Sequence, residues 1–215
     1  MTSPPTFIAL LGAESTGKTD LATALAGHFG QQGRSVAVVP EVLREWCAHA
    51  GRTPLPHEQL AIAQEQARRT EAAQADVVIA DTTPLMTAIY SDLLFQDRSL
   101  YAFAATHHRL YRHTLVTGLD LPWVADGLQR DGPHVREPVD ALLRQALLRA
   151  GIAFKVIYGQ GLARLDNAIR AVLPGGASTN RPVEAGAPWN WVCDKCSDPV
   201  CEHRLFSRLV KPAGD

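Results

Sequence analysis

The chain has 215 residues, 46% of them apolar and 20% charged, with a formal net charge of −1. This length suits one globular domain with a small appendage, and a charge near zero gives no general electrostatic reason to expect nucleic acid or an anionic membrane as a partner. The apolar run Phe7–Leu11 is too short for a signal-peptide core or a membrane span. We therefore expect a cytoplasmic protein.

Segments typical of strands alternate with segments typical of helices. Apolar runs predict five strands: Thr6–Leu11, Ser35–Val39, Val77–Ala80, Leu115–Val116 and Ala153–Tyr158. Helices are predicted at Asp20–Gln32, Val42–Ala50, His57–Ala75, Pro84–Phe95, Ser99–His113, Val139–Ala150 and Leu162–Leu173. The alternation predicts an α/β fold with a five-stranded, mainly parallel sheet flanked by helices.

Composition also predicts where the domain ends. Residues 1–173 are expected to form the α/β domain, with a loop at Leu119–Pro138, which is rich in Gly, Pro, Asp and Arg. Residues 174–188 are small and polar and are interrupted by Pro and Gly, so they are predicted to be a flexible linker. Residues 189–215 are expected to form a separate tail.

The segment Gly12–Thr19 reads G-A-E-S-T-G-K-T and lies between a predicted strand and a predicted helix, as a phosphate-binding P-loop requires. Its glycines let the backbone curl so that N–H groups face phosphate oxygens. Lys18 is predicted to reach the β- and γ-phosphates, and the Thr19 hydroxyl to bind Mg²⁺. We expect ATP or GTP to be held by Gly12, Ala13, Glu14, Ser15, Thr16, Gly17, Lys18 and Thr19.

A carboxylate on the magnesium side of the site should end a neighbouring strand. Asp81 follows the apolar run Val77–Ala80 and is the residue that fits this position. It is predicted to serve the metal or the substrate. The alternative is that Asp81 caps the helix predicted to start at Pro84, since aspartate is a good N-cap residue.

Three features favour a small-molecule kinase over other P-loop proteins. The chain is too short for the additional subdomains of a ring ATPase, and it lacks the N-K-x-D sequence with which GTPases read the base. The third feature is the segment after the second strand, Pro40–Trp46, which is rich in carboxylates. Glu41 is the candidate general base or ribose-binding group; alternatively it only suits the dipole at the start of a helix.

The next residues of this segment are candidates for binding the substrate. Arg44 could balance phosphate charge, although Arg44 and Glu45 could equally form a surface ion pair. Trp46 could stack on a flat aromatic ring or belong to the core.

A second kinase signature is Pro122–Arg130, which reads P-W-V-A-D-G-L-Q-R. In this fold class the loop after the fourth strand closes as a lid and brings arginines to the charge that develops during transfer. Arg130 and Arg136 are the candidates for this role, the alternative being a solvated basic loop. Asp126 is predicted to orient an arginine or contact the substrate, and Trp123 to line the acceptor pocket.

These four motifs together resemble the ribosylnicotinamide kinase domain of bacterial NadR-type NAD-biosynthesis proteins, within an AAA-like family of P-loop ATPases and kinases. The resemblance covers residues 6–173. It implies ATP-dependent phosphorylation of the ribose 5′-hydroxyl of nicotinamide riboside, with Lys18 and Thr19 serving ATP and Mg²⁺, Glu41 and Asp81 facing the acceptor, and Arg130 in the lid. An aromatic side chain such as Trp46 or Trp123 would stack on the nicotinamide ring.

The chain also departs from that family. Its known members carry an adenylyltransferase domain, and often a DNA-binding region, ahead of the kinase. Only five residues precede the first predicted strand here, so we expect neither activity. The acceptor-side region His57–His113 matches loosely, which leaves other nucleosides or nucleotides open as acceptors.

The tail contains the sequence C-x₂-C-x₄-C-x-H, formed by Cys193, Cys196, Cys201 and His203. Thiolates and imidazole in this spacing favour a structural Zn²⁺ ion, which would stabilise a segment too short to fold alone. The alternatives are free thiols or a disulfide. Tail aromatic residues could dock on the main domain or on a protein partner. A rival hypothesis is therefore a regulatory ATPase or nucleotide sensor that binds a partner through this tail; the oligomeric state is not predicted.

Other candidate metal ligands have simpler interpretations. His107 and His108 share a predicted helix with Arg109 and Arg112, which favours a solvated or substrate-facing basic patch over a metal site. Cys47 is expected to be a small buried residue.

Overall fold

The computed structural model describes residues 4–124 and 132–173. Within these ranges it contains one five-stranded sheet in which every pair of neighbouring strands is parallel. The strands are β1 (Thr6–Leu11), β2 (Val36–Val39), β3 (Val77–Asp81), β4 (His113–Thr117) and β5 (Lys155–Ile157). Their spatial order is β2-β3-β1-β4-β5. The predicted α/β class and five-stranded sheet are confirmed.

Helices connect the strands and cover both faces of the sheet. They are α1 (Lys18–Gln31), α2 (Val42–Ala50), α3 (Gln59–Ala72), α4 (Pro84–Phe95), α5 (Tyr101–His108), α6 (Arg136–Arg149) and α7 (Gly161–Val172). Short 3₁₀ turns at Pro56–Glu58 and Pro133–Val135 precede α3 and α6. No helix in the described ranges is long and apolar enough to cross a membrane.

The side chains of β1 alternate between two hydrophobic cores, as the period of a strand requires. Ala9 and Leu11 join one core with residues of α4 and α6, such as Ile89 and Leu143. Ile8 and Leu10 join the other core, which α1 and α7 cover. Burial on both faces explains why β1 is a continuous apolar run rather than an alternating one.

The register of the sheet brings the ends of the strands to one edge. In β1, Leu10 is paired with Asp81 on one side and with Leu115 on the other. The polar residues that follow β1, β3 and β4 therefore meet at the carboxyl edge, which is where ligands bind in open parallel sheets.

The start of α2 is held by a buried glutamine of α3. Gln66 is 1% exposed, its Oε1 accepts a hydrogen bond from the Val42 amide at 2.8 Å, and its Nε2 donates to the Pro40 carbonyl at 3.2 Å. These bonds pair both groups of the glutamine amide. They fix the turn that carries Glu41.

Three expectations about the middle of the chain are wrong. The helix predicted over Ser99–His113 ends at His108, because His113 pairs with Ile8 in the sheet and begins β4. His107 and His108 are 8% and 2% exposed, so they form no solvated basic patch. Arg136 was expected in the loop Leu119–Pro138, but it is the first residue of α6.

Cys47 is 5% exposed, which confirms the expected burial. Several predicted site residues lie outside the described ranges. These are the lid residues Asp126 and Arg130 and the tail residues Cys193, Cys196, Cys201 and His203.

Candidate functional site

The loop between β1 and α1 has the backbone conformation of a phosphate cradle. Gly12 and Gly17 have φ angles of +148° and +72°, which disfavour residues with a Cβ atom. A Cβ atom on Gly12 would lie 2.1 Å from Oγ1 of Thr117, so the close approach of β4 also requires glycine here. The N-cap residue Gly17 makes no side-chain capping bond, which leaves the first N–H groups of α1 available for an anion.

Lys18 lies in this loop with its ammonium group on the backbone. Nζ donates hydrogen bonds to the carbonyl oxygens of Gly12 at 3.0 Å and Ala13 at 2.8 Å, and the residue is 8% exposed. Burial lowers the pKa of Lys18, and the nearby carboxylates of Glu41 and Asp81 oppose this shift. The lysine therefore lies close to carboxylates from the ends of two other strands.

Asp81 is joined directly to the P-loop. Its Oδ2 accepts a hydrogen bond from Thr19 Oγ1 at 2.6 Å. Its Oδ1 is buried and has no hydrogen-bond partner among the described residues. Asp81 is not the cap of α4, which was its alternative role. The N-cap residue is Thr83, whose hydroxyl accepts a hydrogen bond from the Leu85 amide.

A hydroxyl and a carboxylate side by side, with one buried carboxylate oxygen unsatisfied, fit the oxygen ligands that Mg²⁺ prefers. Thr19 and Asp81 are therefore the residues that would hold the ion. No group of three or more His, Cys, Asp or Glu residues that could bind a metal occurs in the described part of the chain.

Glu41 and Arg44 face the P-loop from the start of α2. Arg44 Nη2 lies 3.3 Å from Glu41 Oε2, and Arg44 Nη1 is 3.5 Å from Thr19 Oγ1. The Glu41 side chain is 12% exposed. This pair is thus part of the P-loop site rather than an ion pair on the remote surface.

An open pocket of about 680 Å³ lies over the loop. It is lined by Ser15–Asp20, Arg44, Leu121, Pro122, Val124 and Gln160. Ser15 fixes one wall, because its Oγ accepts a hydrogen bond from the Val124 amide at 2.8 Å. The beginning of the predicted lid segment is therefore attached to the phosphate loop itself.

Glu45 and Trp46 lie on another face of α2. They line a separate pocket of about 330 Å³ between α2 and α3, which shares no lining residue with the P-loop pocket. Glu45 pairs with Arg69, and the Arg52 guanidinium lies 4.9 Å from the centre of the Trp46 ring. The structure therefore does not bring these two candidates to the P-loop.

Trp123 and Arg136 are not among the residues that line the P-loop pocket. The Trp123 side chain is partly buried, and its indole nitrogen has no hydrogen-bond partner among the described residues. Arg136 is 8% exposed and donates to the Leu119 carbonyl at 3.2 Å. Burial lowers the pKa of Arg136, against the opposing charge of Asp120.

Sequence reasoning missed the residues that support the loop from below. Thr117, at the end of β4, contacts Thr16 through their hydroxyls at 2.6 Å and donates to the Leu11 carbonyl at 3.1 Å. Arg164 of α7 donates to the Thr16 carbonyl at 2.7 Å and pairs with Asp120. The sequence carries only a weak signal for these supporting residues. Polar residues follow β4, and Gly159 and Gly161 flank Gln160 after β5.

The fold and this loop define a P-loop nucleotide-binding protein. A model of the AAA domain family matches residues 7–164, more than half of the chain. The chain belongs to this family. A comparison with curated protein sequences found no match.

Solved structures with the same fold include two of NadR protein, one in complex with NR and one with NAD and AMP-PNP. Their TM-scores are 0.64 and 0.60, and they are 19% and 18% identical to this chain. Each match covers 78% of this chain but only 50% and 48% of the NadR chains, so this chain spans about half their length. The predicted resemblance to NadR-type proteins is thereby confirmed at the level of the fold.

A thymidylate kinase from Ehrlichia chaffeensis also has this fold. Its TM-score is 0.54 at 14% identity, and the match covers 77% of this chain and 98% of the kinase. The P-loop fold is thus common to this chain, to NadR protein and to a nucleotide kinase.

Proposed function

We propose that this protein is an ATP-dependent kinase that phosphorylates the ribose 5′-hydroxyl of a nucleoside, with nicotinamide riboside as acceptor and nicotinamide mononucleotide as product. One observation carries the proposal. The carboxylates of Glu41 and Asp81, from the ends of β2 and β3, converge on Thr19 of the P-loop. Asp81 Oδ2 accepts a hydrogen bond from Thr19 Oγ1 at 2.6 Å, and Glu41 Oε2 lies 3.3 Å from Arg44, whose Nη1 is 3.5 Å from the same Thr19 hydroxyl. A simple nucleotide cradle needs one metal-side carboxylate, whereas a kinase also needs a group for the acceptor hydroxyl.

Each residue has a task in this proposal. Lys18 would exchange the carbonyl oxygens of Gly12 and Ala13 for phosphate oxygens, so its ammonium charge is already held beside the phosphate position. Thr19 and Asp81 would hold Mg²⁺, which would supply positive charge to the phosphates. The P-loop N–H groups would bind the remaining phosphate oxygens.

Glu41 is the proposed general base. Its carboxylate accepts the proton of the attacking hydroxyl, and Arg44, whose Nη2 lies 3.3 Å from Glu41 Oε2, orients the carboxylate. The hydroxyl oxygen then forms the new bond to the γ-phosphorus as the bond to the β–γ bridging oxygen breaks. Positioning and charge stabilisation supply most of the catalysis in such a transfer.

The choice of acceptor has separate support. The two NadR structures share the fold, and one of them is described as a complex with NR. The thymidylate kinase likeness supports the alternative of another nucleoside or nucleotide as acceptor.

An acceptor screen tests the proposal. The full chain is incubated with ATP, Mg²⁺ and single acceptors: nicotinamide riboside, thymidine, deoxycytidine, adenosine and thymidine monophosphate. Products are separated by chromatography. We expect ADP and nicotinamide mononucleotide to form in equal amounts when nicotinamide riboside is present. Turnover with another acceptor alone would correct the substrate, and slow hydrolysis of ATP that no acceptor changes would reject the kinase in favour of a regulatory ATPase.

A further inference from the structure

A buried arginine joins the elements that border the nucleotide pocket. Arg164 is 4% exposed, and its Nη2 donates to the Thr16 carbonyl at 2.7 Å. Its Nη1 donates to the Gly159 carbonyl at 2.8 Å and lies 3.3 Å from Asp120 Oδ1. One guanidinium therefore contacts the phosphate loop, the turn after β5 and the segment after β4.

The contact with Thr16 acts on the neighbouring amide group. The described residues contain no cis peptide bond, and in a trans peptide the C=O and N–H groups point in opposite directions. The Gly17 N–H, which shares a peptide with the Thr16 carbonyl, therefore points away from Arg164. Gly17 lines the P-loop pocket, whereas Arg164 does not.

A cation that donates a hydrogen bond to the carbonyl of a peptide group strengthens the N–H of the same group as a hydrogen-bond donor. Hydrogen bonds from charged donors are stronger than neutral ones, and hydrogen bonds in a chain polarise one another. The guanidinium on the Thr16 carbonyl thus makes the Gly17 N–H a better donor. It also resists rotation of this peptide plane, which sets the direction of the N–H.

The same side chain also supports the turn that carries another pocket residue. The turn after β5 carries Gln160, which lines the pocket. On one side of it, the Gly159 carbonyl accepts from Arg164, and the Gly159 amide donates to Asp120 Oδ2 at 2.6 Å. Asp120 thereby orients both the turn and the guanidinium.

We propose that Arg164 is a positioning residue for nucleotide binding. It holds the Thr16–Gly17 peptide with its N–H towards the pocket and strengthens the hydrogen bond from that N–H to the β-phosphate of a bound nucleotide. The inference rests on the nucleotide-binding half of the proposed function. Arginine suits the position because its planar fork reaches three acceptors at once, which the single ammonium group of lysine cannot do.

The test compares three variants of the full chain by calorimetric titration with ADP and Mg²⁺ and, separately, with AMP. Arg164→Gln removes the charge and Arg164→Lys keeps it without the fork. Arg170→Gln is the matched control, because Arg170 lies on the same helix and is exposed. We expect Arg164→Gln to weaken ADP binding about tenfold or more and Arg164→Lys to weaken it less, with Arg170→Gln unchanged.

Comparing the affinities for ADP and AMP separates a positioning role of Arg164 from a general loss of structure. P-loop N–H groups hold the α- and β-phosphates, and AMP lacks the second, so the ratio of ADP to AMP affinity should fall in the Arg164 variants. Equal losses for both nucleotides would reduce Arg164 to a structural role and overturn the inference. Wild-type affinity for ADP in either Arg164 variant would also overturn it, so the lysine variant suffices if the glutamine variant does not fold.

These outcomes are distinct from those of the kinase assay. A wild-type protein that binds ADP but phosphorylates no acceptor refutes the kinase and leaves the role of Arg164 supported by its own titrations. A wild-type protein that does not bind ADP removes the basis of both.

Discussion

Thr19 Oγ1 donates a hydrogen bond to Asp81 Oδ2 over 2.6 Å, which connects the first turn of α1 to the end of β3. The two residues are far apart in the sequence and meet because β1 and β3 are adjacent, with Leu10 opposite Asp81. The pairing leaves Asp81 Oδ1 buried without a partner among the described residues. A buried carboxylate oxygen in that condition is costly unless a ligand satisfies it.

We therefore expect Asp81→Asn to lower kcat by about 100-fold or more, because the amide cannot neutralise Mg²⁺. Initial rates measured over a range of Mg²⁺ concentrations check this, and the variant should also require more of the ion. Thr19→Ser, which keeps the hydroxyl, is the matched control and should retain most of the activity. A normal magnesium dependence in Asp81→Asn would remove this residue from the metal site.

Lys18→Ala should lower the rate of phosphoryl transfer by roughly 1,000-fold, whichever acceptor is correct, because the charge that stabilises the transferring group is lost. The measurement is ADP formation at saturating acceptor. Lys155→Ala serves as the control, since this exposed lysine donates to the Ala171 carbonyl away from the pocket. A fully active Lys18→Ala protein would refute the site assignment.

Two glutamates of the same segment should behave differently. Glu41→Gln should lower kcat by about 100-fold with little change in KM for ATP, because a general base typically contributes 10²- to 10⁴-fold. Glu45→Gln should leave kcat within about twofold, since Glu45 pairs with Arg69 in the separate α2–α3 pocket. Steady-state kinetics of both variants measure the contrast. Equal losses would place both carboxylates on the acceptor.

Gly12→Ala should destabilise the fold by roughly 3 kcal/mol, because the new methyl group would meet Thr117 Oγ1 at 2.1 Å in a backbone conformation that favours glycine. The Gly12→Ala/Thr117→Ala double variant removes part of the clash. It should be more stable than the sum of the single changes by about 1 kcal/mol or more. Urea unfolding of Gly12→Ala, Thr117→Ala and the double variant gives the free energies for a double-mutant cycle. If these free-energy changes were strictly additive, the close approach of residue 12 to Thr117 would be contradicted.

Acid should weaken the fold through His108. Burial, and secondarily the charge of His107, lowers the pKa of His108 from 6.5 to about 4. The unfolded chain therefore binds a proton that the folded chain does not between these pH values. The stabilisation is complete above pH 6.5 and is lost as pH falls towards 4, by roughly 3 kcal/mol for a fully buried ring.

Urea unfolding of the wild type at pH 7.5 and pH 5 measures the slope of the free energy of unfolding against pH. His108→Gln should reduce the slope, because glutamine does not titrate. His57→Gln, which changes an exposed histidine, should keep it. An unchanged slope in His108→Gln would assign the acid sensitivity to other groups.

Local sequence signals were sufficient for the donor half of the site. The bounds of β1, α2 and α4 agree with the predicted ranges, since apolar runs, a proline start and a terminal glycine define them locally. The P-loop motif with its flanking strand and helix predicted the cradle. Asp81 was found because a buried strand ends there, although only pairing with β1 extends β3 to include it.

Tertiary packing decided the rest. The pattern of α2 does not say which of its faces meets α3, so Glu45 and Trp46 could not be separated from Glu41 and Arg44 in advance. The end of α5 depends on His113 joining the sheet. Arg164 is distant in sequence from the loop it supports, and no motif near it in the chain predicts its contact with Thr16.

The strand order has a consequence for how such a protein can diversify. Strands β2 and β3 lie on one side of β1 and strands β4 and β5 on the other. In our proposal Glu41, which follows β2, serves the acceptor, whereas the second pair supports the nucleotide. Substitutions that alter acceptor preference can therefore accumulate around α2 and α3 without disturbing the hydrogen bonds of Thr117 and Arg164. The acceptor can then change during evolution while nucleotide binding is retained.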